Sequence, residues 1–354
     1  MNKQHVCVAM SGGVDSAGAA LLLRREGCEV SGVTMDLHSC KDRPGLCGSG
    51  KDIEMARSVA AALGIPHTVL DLSQRFRETV MDRFVSEYVH GRTPNPCIDC
   101  NREIKFGALL DWALEQGADA LATGHYARVS YDEISGRWQL LRGRDHKKDQ
   151  SYFLYQLTQH QLAHLLLPVG DYEKPALRAL AAEAGLVNAD KADSQDICFV
   201  PDGDYMTFLQ EYGGVKPVPG DFVDESGRVL GRHKGLEAYT PGQRKGLGVS
   251  AGAPVYVLRK NLEAGTIVLG PNEALFTTEL VADRVNWISI AEPACPVRVT
   301  AKTRYSQRED PAVVYPLADG SVRVVFDVPQ RAVTAGQAVV FYDGETVVGG
   351  GTIQ

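Results

Sequence analysis

Residues 9–16 read AMSGGVDS and close an apolar run, His5 to Met10, that has the look of the first strand of a parallel sheet. A glycine pair followed by Asp-Ser at that point constrains the fold more than any other stretch of the chain. Gly12 and Gly13 reach backbone angles closed to other residues and leave no side chain between the chain and an anion, so amide N–H groups can face a phosphate. Val14 to Arg25 then carries apolar residues at helical spacing and stops at Gly27. The loop therefore opens a helix whose positive end points at the same phosphate. Ser11 and Ser16 add hydroxyl donors, and Asp15 suits either orienting the loop or holding Mg²⁺. The GK[ST] ending of a Walker A loop, whose lysine grips the β and γ phosphates, is missing. Such a loop fits chemistry that releases pyrophosphate and keeps AMP on the substrate.

The first two hundred residues alternate short apolar runs with longer periodic ones, the pattern of an α/β domain with a doubly wound parallel sheet. Strands are expected at His5 to Met10, Glu29 to Leu37, Pro66 to Leu72 and Ala118 to Thr123. Helices are expected at Asp15 to Arg25, Asp52 to Leu63, Arg75 to Val89 and Arg102 to Glu115. Ligands of such sheets sit outside the carboxyl ends of the strands, which puts Ser11 to Ser16, Met35 and Gly124 to Tyr126 around one crevice. From Asp204 the texture changes to Gly, Pro and short mixed segments, a small central α+β module. From Thr278 alternating runs such as PVRVTAKTRY and SVRVVFDV, separated by turn signals, predict a C-terminal antiparallel β-barrel. The expected domains are thus 1–203, 204–277 and 278–354.

A chain of 354 residues exceeds what one core usually supports, in keeping with that division. No apolar run approaches a membrane span and MNKQHVCVAM lacks a signal-peptide core, so the expected location is cytoplasmic, with no membrane partner. Eight unevenly spaced cysteines then read as thiols, ligands or catalysts rather than a disulfide framework. The net charge of −7 argues weakly against a nucleic-acid partner. Local clusters reopen that possibility: Arg137 to Lys148 holds five Lys or Arg against one acid, and Arg228 to Lys245 holds five against Glu237.

Thr93 to Phe106 reads TPNPCIDCNREIKF, two prolines leading to Cys97 and Cys100 and then a helical pattern with Asn101 as N-cap. Cys100 is accordingly expected at a helix N-terminus, which favours thiolate, while Asp99 opposes it and a nearby histidine, lysine or metal is needed for strong activation. Three chemistries are open to this CxxC: half a zinc site, a redox dithiol, or part of an iron–sulfur centre. Cys40 and Cys47 are the remaining zinc ligands available, at unconvincing spacing. Cys198 stands in a polar, motif-like setting, DSQDICFVPDG, whereas Cys7, Cys28 and Cys295 read as packing residues.

In this order, AMSGGVDS, GRTPNPCIDCNREIKF, ATGHYAR, KDQSYFLYQL, DSQDICF and YTPGQRKGLG resemble the tRNA-specific 2-thiouridylases over essentially the whole chain. The loop alone indicates only the wider ATP-pyrophosphatase group, with its adenine nucleotide hydrolase-like sheet. The resemblance implies ATP with Mg²⁺ as cofactors, a tRNA anticodon arm as partner, and a sulfur-donating protein or sulfide source. It implies adenylation of O2 of the wobble uridine, then displacement of AMP by sulfur at C2, on a base drawn out of its stack. Cys100 matches the nucleophile and Cys198 the persulfide carrier, which are left as a disulfide after transfer. Ala9, Met10, Ser11, Gly12, Gly13, Val14, Asp15, Ser16, Met35 and Gly124 match ATP contacts, and Asn95, Pro96 and Cys97 match contacts to the target base. His125, Lys148, Asp149, Gln150, Arg304, Tyr305 and Gln337 match tRNA contacts. One departure is Cys97, where many members carry Asp. It opens a second route to the same product, a [4Fe–4S] cluster on Cys97, Cys100 and Cys198. The rivals are an ATP-pyrophosphatase that thiolates a different base and, outside enzymes, an ATP-responsive RNA-binding redox sensor.

Overall fold

The computed structural model describes residues 3–37, 50–191, 196–200, 203–250 and 252–354, so Cys40 and Cys47 lie outside the described residues. Strands β1 (His5–Ala9), β2 (Glu29–Asp36), β3 (His67–Asp71) and β4 (Ala120–Ala122) are followed by a hairpin, β5 (Ala127–Asp132) and β6 (Arg137–Arg142), and by β7 (Leu165–Leu166). Five of them form the parallel sheet β3-β2-β1-β4-β7. Val6, Cys7 and Val8 of β1 are all buried, which is why that strand reads as a continuous apolar run: helices cover both faces of the sheet. Burial pushes the Cys7 thiol up to about 11, in keeping with a packing role.

Helices α1 (Val14–Arg25) and α2 (Gly50–Leu63) pack with the helix Lys174–Glu183 around one core. Leu177 of that last helix, fully buried, lies where Gly18 of α1 has no side chain; a Cβ there would sit 2.6 Å from it. Its burial stabilises the pair by about 1.5–3 kcal/mol.

Strands β8 (Gly220–Val223), β9 (Val229–His233), β10 (Tyr256–Asn261) and β11 (Thr266–Gly270) make the central sheet, order β10-β11-β8-β9, over a core of Phe222, Tyr239, Val257, Ile267 and Leu269. Strands β12 (Phe276–Trp287), β13 (Val297–Lys302), β14 (Asp310–Pro316), β15 (Val322–Arg331), β16 (Ala338–Asp343) and β17 (Thr346–Ile353) run β12-β15-β14-β13-β16-β17, and β12 pairs with β17 to close a six-stranded antiparallel barrel.

Sequence reading recovers the middle strands of this barrel but passes over β17, TVVGGGTI, because consecutive glycines weaken a strand signal. Close approach explains them. A Cβ on Gly350 would lie 2.6 Å from the ring of Tyr155, and one on Gly349 would lie 2.3 Å from the Asn286 carbonyl. The hairpin β5–β6 also joins the barrel sheet, at Leu141 opposite Thr346. Arg137 donates to the carbonyls of Ile288 (2.9 Å) and Trp287 (3.2 Å), and Arg142 pairs with Glu309 and covers the Tyr342 ring. Two of the five cations in the 137–148 cluster are therefore committed to the barrel, while Arg144 and Lys147 are exposed.

Candidate active site

The carboxyl ends of β1, β2 and β4 open on a cavity of about 310 Å³. Its wall includes Ala9, Met10, Ser11, Asp15 and Ser16 from the glycine turn, Met35, Gly124 and His125 from the neighbouring strand ends, Pro96, Cys97 and Cys100, Gln150, and Cys198. Three motifs separated by about a hundred residues each thus meet in one hollow, where the strand-end rule puts a ligand.

Gly12 holds φ +71°, a conformation that costs other residues strain, and Ser16 Oγ donates to the Gly13 carbonyl at 3.0 Å, closing the turn onto the start of α1. Asp15, part of the cavity wall, is held by its neighbours. Its carboxylate accepts two bonds from the Lys174 ammonium (2.7 and 2.8 Å) and one from Tyr126 Oη (2.7 Å). The loop-orienting role is the one this geometry serves. Asp52, also in the wall, pairs with Lys191 at 2.7 Å. Among the described residues no group of three His, Cys, Asp or Glu side chains is spaced to hold a metal ion. Mg²⁺ commonly arrives on substrate phosphates, which need no such group.

Gly124 lies against this turn so closely that a Cβ would sit 2.6 Å from both Asp15 C and Ser16 N. Both are backbone atoms, so Gly124→Ala displaces the phosphate loop. We expect ATP-dependent turnover to fall about a hundredfold, the cost typical of misplacing reacting groups by an ångström. Full activity in that variant would mean the loop tolerates the shift.

The cysteine segment differs from the sequence expectation. The helix begins at Pro96, with Asn95 in extended conformation as its N-cap, and runs through 96–115; Asn101 is interior and donates to the Phe153 carbonyl at 3.1 Å. Proline at the first helical position and the extended preference of the residue before it set this start. Cys97 consequently occupies the first turn and is exposed, and Cys100 lies beyond it, buried, outside the reach of the terminal dipole. Asp99 faces away from the main cavity, buried between Arg83 (3.2 Å) and Arg102 (3.5 Å).

Residues 100–108 are π-helical. In an α-helix residues five apart stand about 140° from one another; i→i+5 bonding brings them onto one face. That register places Lys105 with Cys100 in the cavity wall, a cation that α-periodicity hides from sequence reading. Cys198 arrives by apolar anchoring. Phe199 packs edge-on against Phe76 (5.7 Å) and Phe84 (5.3 Å), in the cluster that also holds Cys100.

His125 meets Lys105 Nζ at 3.4 Å through Nε2 and Thr123 Oγ1 at 2.6 Å through Nδ1. Burial first, and the Lys105 charge second, hold its imidazole well below the usual 6.5, so it stays neutral. The unfolded chain takes up a proton near that value while the folded chain does not, so stability falls as pH drops through about 6.5. Each pKa unit is worth about 1.4 kcal/mol. Melting at about pH 7.5 and pH 5.5 should therefore cost the parent more than His125→Phe; equal losses would remove His125 as the source.

Of the other matched residues, Asp149 is buried and accepts from the Gly143 and Ser151 amides and the Ser151 hydroxyl. Gln150 Oε1 accepts from the Tyr126 amide at 2.9 Å, and Gln337 donates to the Thr93 carbonyl at 2.7 Å. Arg304 donates to the Ala332 carbonyl (2.8 Å), Thr334 Oγ1 (2.7 Å) and the Pro241 carbonyl (3.3 Å). Tyr305, 38 % exposed, packs on Phe153 at 4.5 Å. Lys174, Lys191 and Lys105 escape a sequence reading because no local pattern ties them to the glycine turn, whereas Tyr126 lies in the Gly124 to Tyr126 segment expected beside it.

Residues 4–202 match the family model for the tRNA methyl transferase HUP domain, 206–271 that for the tRNA methyl transferase PRC-barrel domain, and 277–353 that for the aminomethyltransferase β-barrel domain. The chain is 51% identical over 359 residues to the tRNA-specific 2-thiouridylase MnmA of Acetivibrio thermocellus, covering all of both chains. It is 49% identical over 357 residues to that of Clostridioides difficile, covering 100% of this chain and 99% of the relative. A nucleotide loop, a CxxC helix and an ICF cysteine around one cavity, in a chain alike from end to end, give one conclusion: it belongs to the tRNA-specific 2-thiouridylase family.

Proposed function

We propose that the chain is an ATP-dependent tRNA-uridine 2-sulfurtransferase acting on the wobble uridine of the anticodon arm. The observation that carries this is the shared cavity: the glycine turn, Cys100 and Cys198 line the same walls. In the first step uracil O2 attacks the α-phosphorus of ATP. The bond from that phosphorus to its bridging oxygen breaks, pyrophosphate leaves with the electron pair, and the N3 proton is released. Residues 9–16, Met35 and Gly124 hold the nucleotide, and Asn95, Pro96 and Cys97 meet the base.

In the second step the outer sulfur of a Cys198 persulfide attacks C2 and AMP departs. The Cys100 thiolate then attacks Cys198 Sγ, the S–S electron pair stays on the uridine sulfur, and N3 takes a proton back as C2=S forms. Cys100 and Cys198 end as a disulfide, which a thiol reductant reopens. A sulfur-donating protein that carries a persulfide reloads the Cys198 thiol by passing on its outer sulfur and keeping its own thiol; a sulfide source serves only by attacking Cys198 Sγ of the Cys100–Cys198 disulfide, which leaves the persulfide on Cys198 and a thiolate on Cys100. The persulfide route is preferred to a [4Fe–4S] cluster because the three cysteines are not gathered as ligands.

We assign 1–203 to adenylation and thiolation, and 204–277 and 278–354 to gripping tRNA. Lys148, Gln150 and Tyr305 meet the RNA; Asp149, Arg304 and Gln337, bonded within the protein, shape that surface, and His125 faces the base. The reaction belongs in the cytoplasm; no helix among the described residues is long and apolar enough to cross a membrane. Nucleoside mass spectrometry of tRNA incubated with protein, ATP and sulfide should show 2-thiouridine. Pyrophosphate released without dependence on tRNA, and no thiolated nucleoside, would overturn the reading; a redox sensor would release none.

A further inference from the structure

The glycine turn lacks an in-line lysine, yet the fold brings one to it. Lys191 Nζ stands 3.3 Å from the Gly12 carbonyl and 2.7 Å from Asp52 Oδ1, and Asn188 Nδ2 donates to the same Gly12 carbonyl at 3.1 Å. Lys174, the other lysine at the turn, has its side chain 8% exposed and donates to both Asp15 carboxylate oxygens, deep at the α1 end. Lys191 is different: its side chain is 36% exposed, on a flexible stem, at the rim of the turn. Asp52 is itself part of the cavity wall, so the ammonium sits at the edge of the nucleotide hollow and not on a remote surface.

We propose that Lys191 receives the β and γ phosphates of a nucleoside triphosphate, supplying from 179 residues away the cation that a Walker loop carries within itself. This rests on the adenylating reading above. The turn amides and the start of α1 take one phosphate; the outer two bring the remaining charge, and Asp52 is the counter-ion that Lys191 exchanges for them. When uracil O2 bonds to the α-phosphorus and the bridging bond breaks, negative charge accumulates on the departing pyrophosphate, beside this ammonium. The lysine then favours the leaving group as well as the bound nucleotide.

The test uses the full chain and two probes, AMP and α,β-methylene ATP, titrated against the parent, Lys191→Met and Lys191→Arg. Lys191→Met should weaken the triphosphate analogue about tenfold or more and leave AMP within about twofold, since AMP has no outer phosphates, with Lys191→Arg recovering most of the loss. Equal weakening of both probes would make Lys191 a strut of the loop and overturn the proposal, as would unchanged analogue affinity. If the parent binds neither probe, the adenylating reading falls and this one with it; if it binds both and Lys191→Met does not separate them, only this one falls.

Discussion

Cys100→Ser and Cys198→Ser should each abolish 2-thiolation, by roughly a thousandfold or more, the scale on which loss of a nucleophile is felt. The geometry makes the loss specific. Serine is nearly the size of cysteine, and both positions sit in an apolar cluster built mainly by Phe76, Phe84, Ile104 and Phe199, which the substitutions leave in place. Folding and tRNA affinity should stay within a few fold, and tRNA-dependent pyrophosphate release should persist, because adenylation needs neither sulfur. Measuring thiolated nucleoside, pyrophosphate and tRNA affinity on the same preparations separates the steps. If either variant lost tRNA binding along with thiolation, its cysteine would be holding the fold instead of carrying sulfur.

The second large effect is expected at the opposite wall. Asp15→Ala should lower pyrophosphate release about a hundredfold or more and destabilise the fold by about 3–5 kcal/mol, because it strips the carboxylate from a buried lysine. Lys174 is 6% exposed overall, and its ammonium loses two bonds of 2.7 and 2.8 Å. The double variant Asp15→Leu/Lys174→Met removes both charges and should recover much of the stability while remaining inactive. Should it regain pyrophosphate release too, the pair would be scaffold alone, with no part in presenting the loop to a phosphate.

Much of this was legible in the chain and some was not, for reasons that differ by residue. Strand β1 and the glycine turn are local facts: apolar run, positive-φ glycine and helix start lie within a dozen residues. The Cys100 helix starts earlier than the Asn101 cap signal indicates, because Pro96, read only as part of the approach to the cysteines, suits the first helical turn. Lys105 was hidden by a π-helical register that sequence periodicity does not announce. Lys174 and Lys191 reach the turn only through tertiary packing, and the glycines of β17 disguised a strand whose close neighbours are far away in sequence.

The barrel's grip on the first part of the chain has a consequence for how the molecule is made. Tyr152 Oη bonds to the Ala338 carbonyl 186 residues on, and Thr93, just before the cysteine helix, is tied to Gln337 across 244. The segment that a ribosome delivers early cannot finish its own interior until the late segment arrives. Its aromatic surface and hairpin edge stay uncovered through most of translation, so newly made chains should depend on holding chaperones until synthesis has passed residue 353.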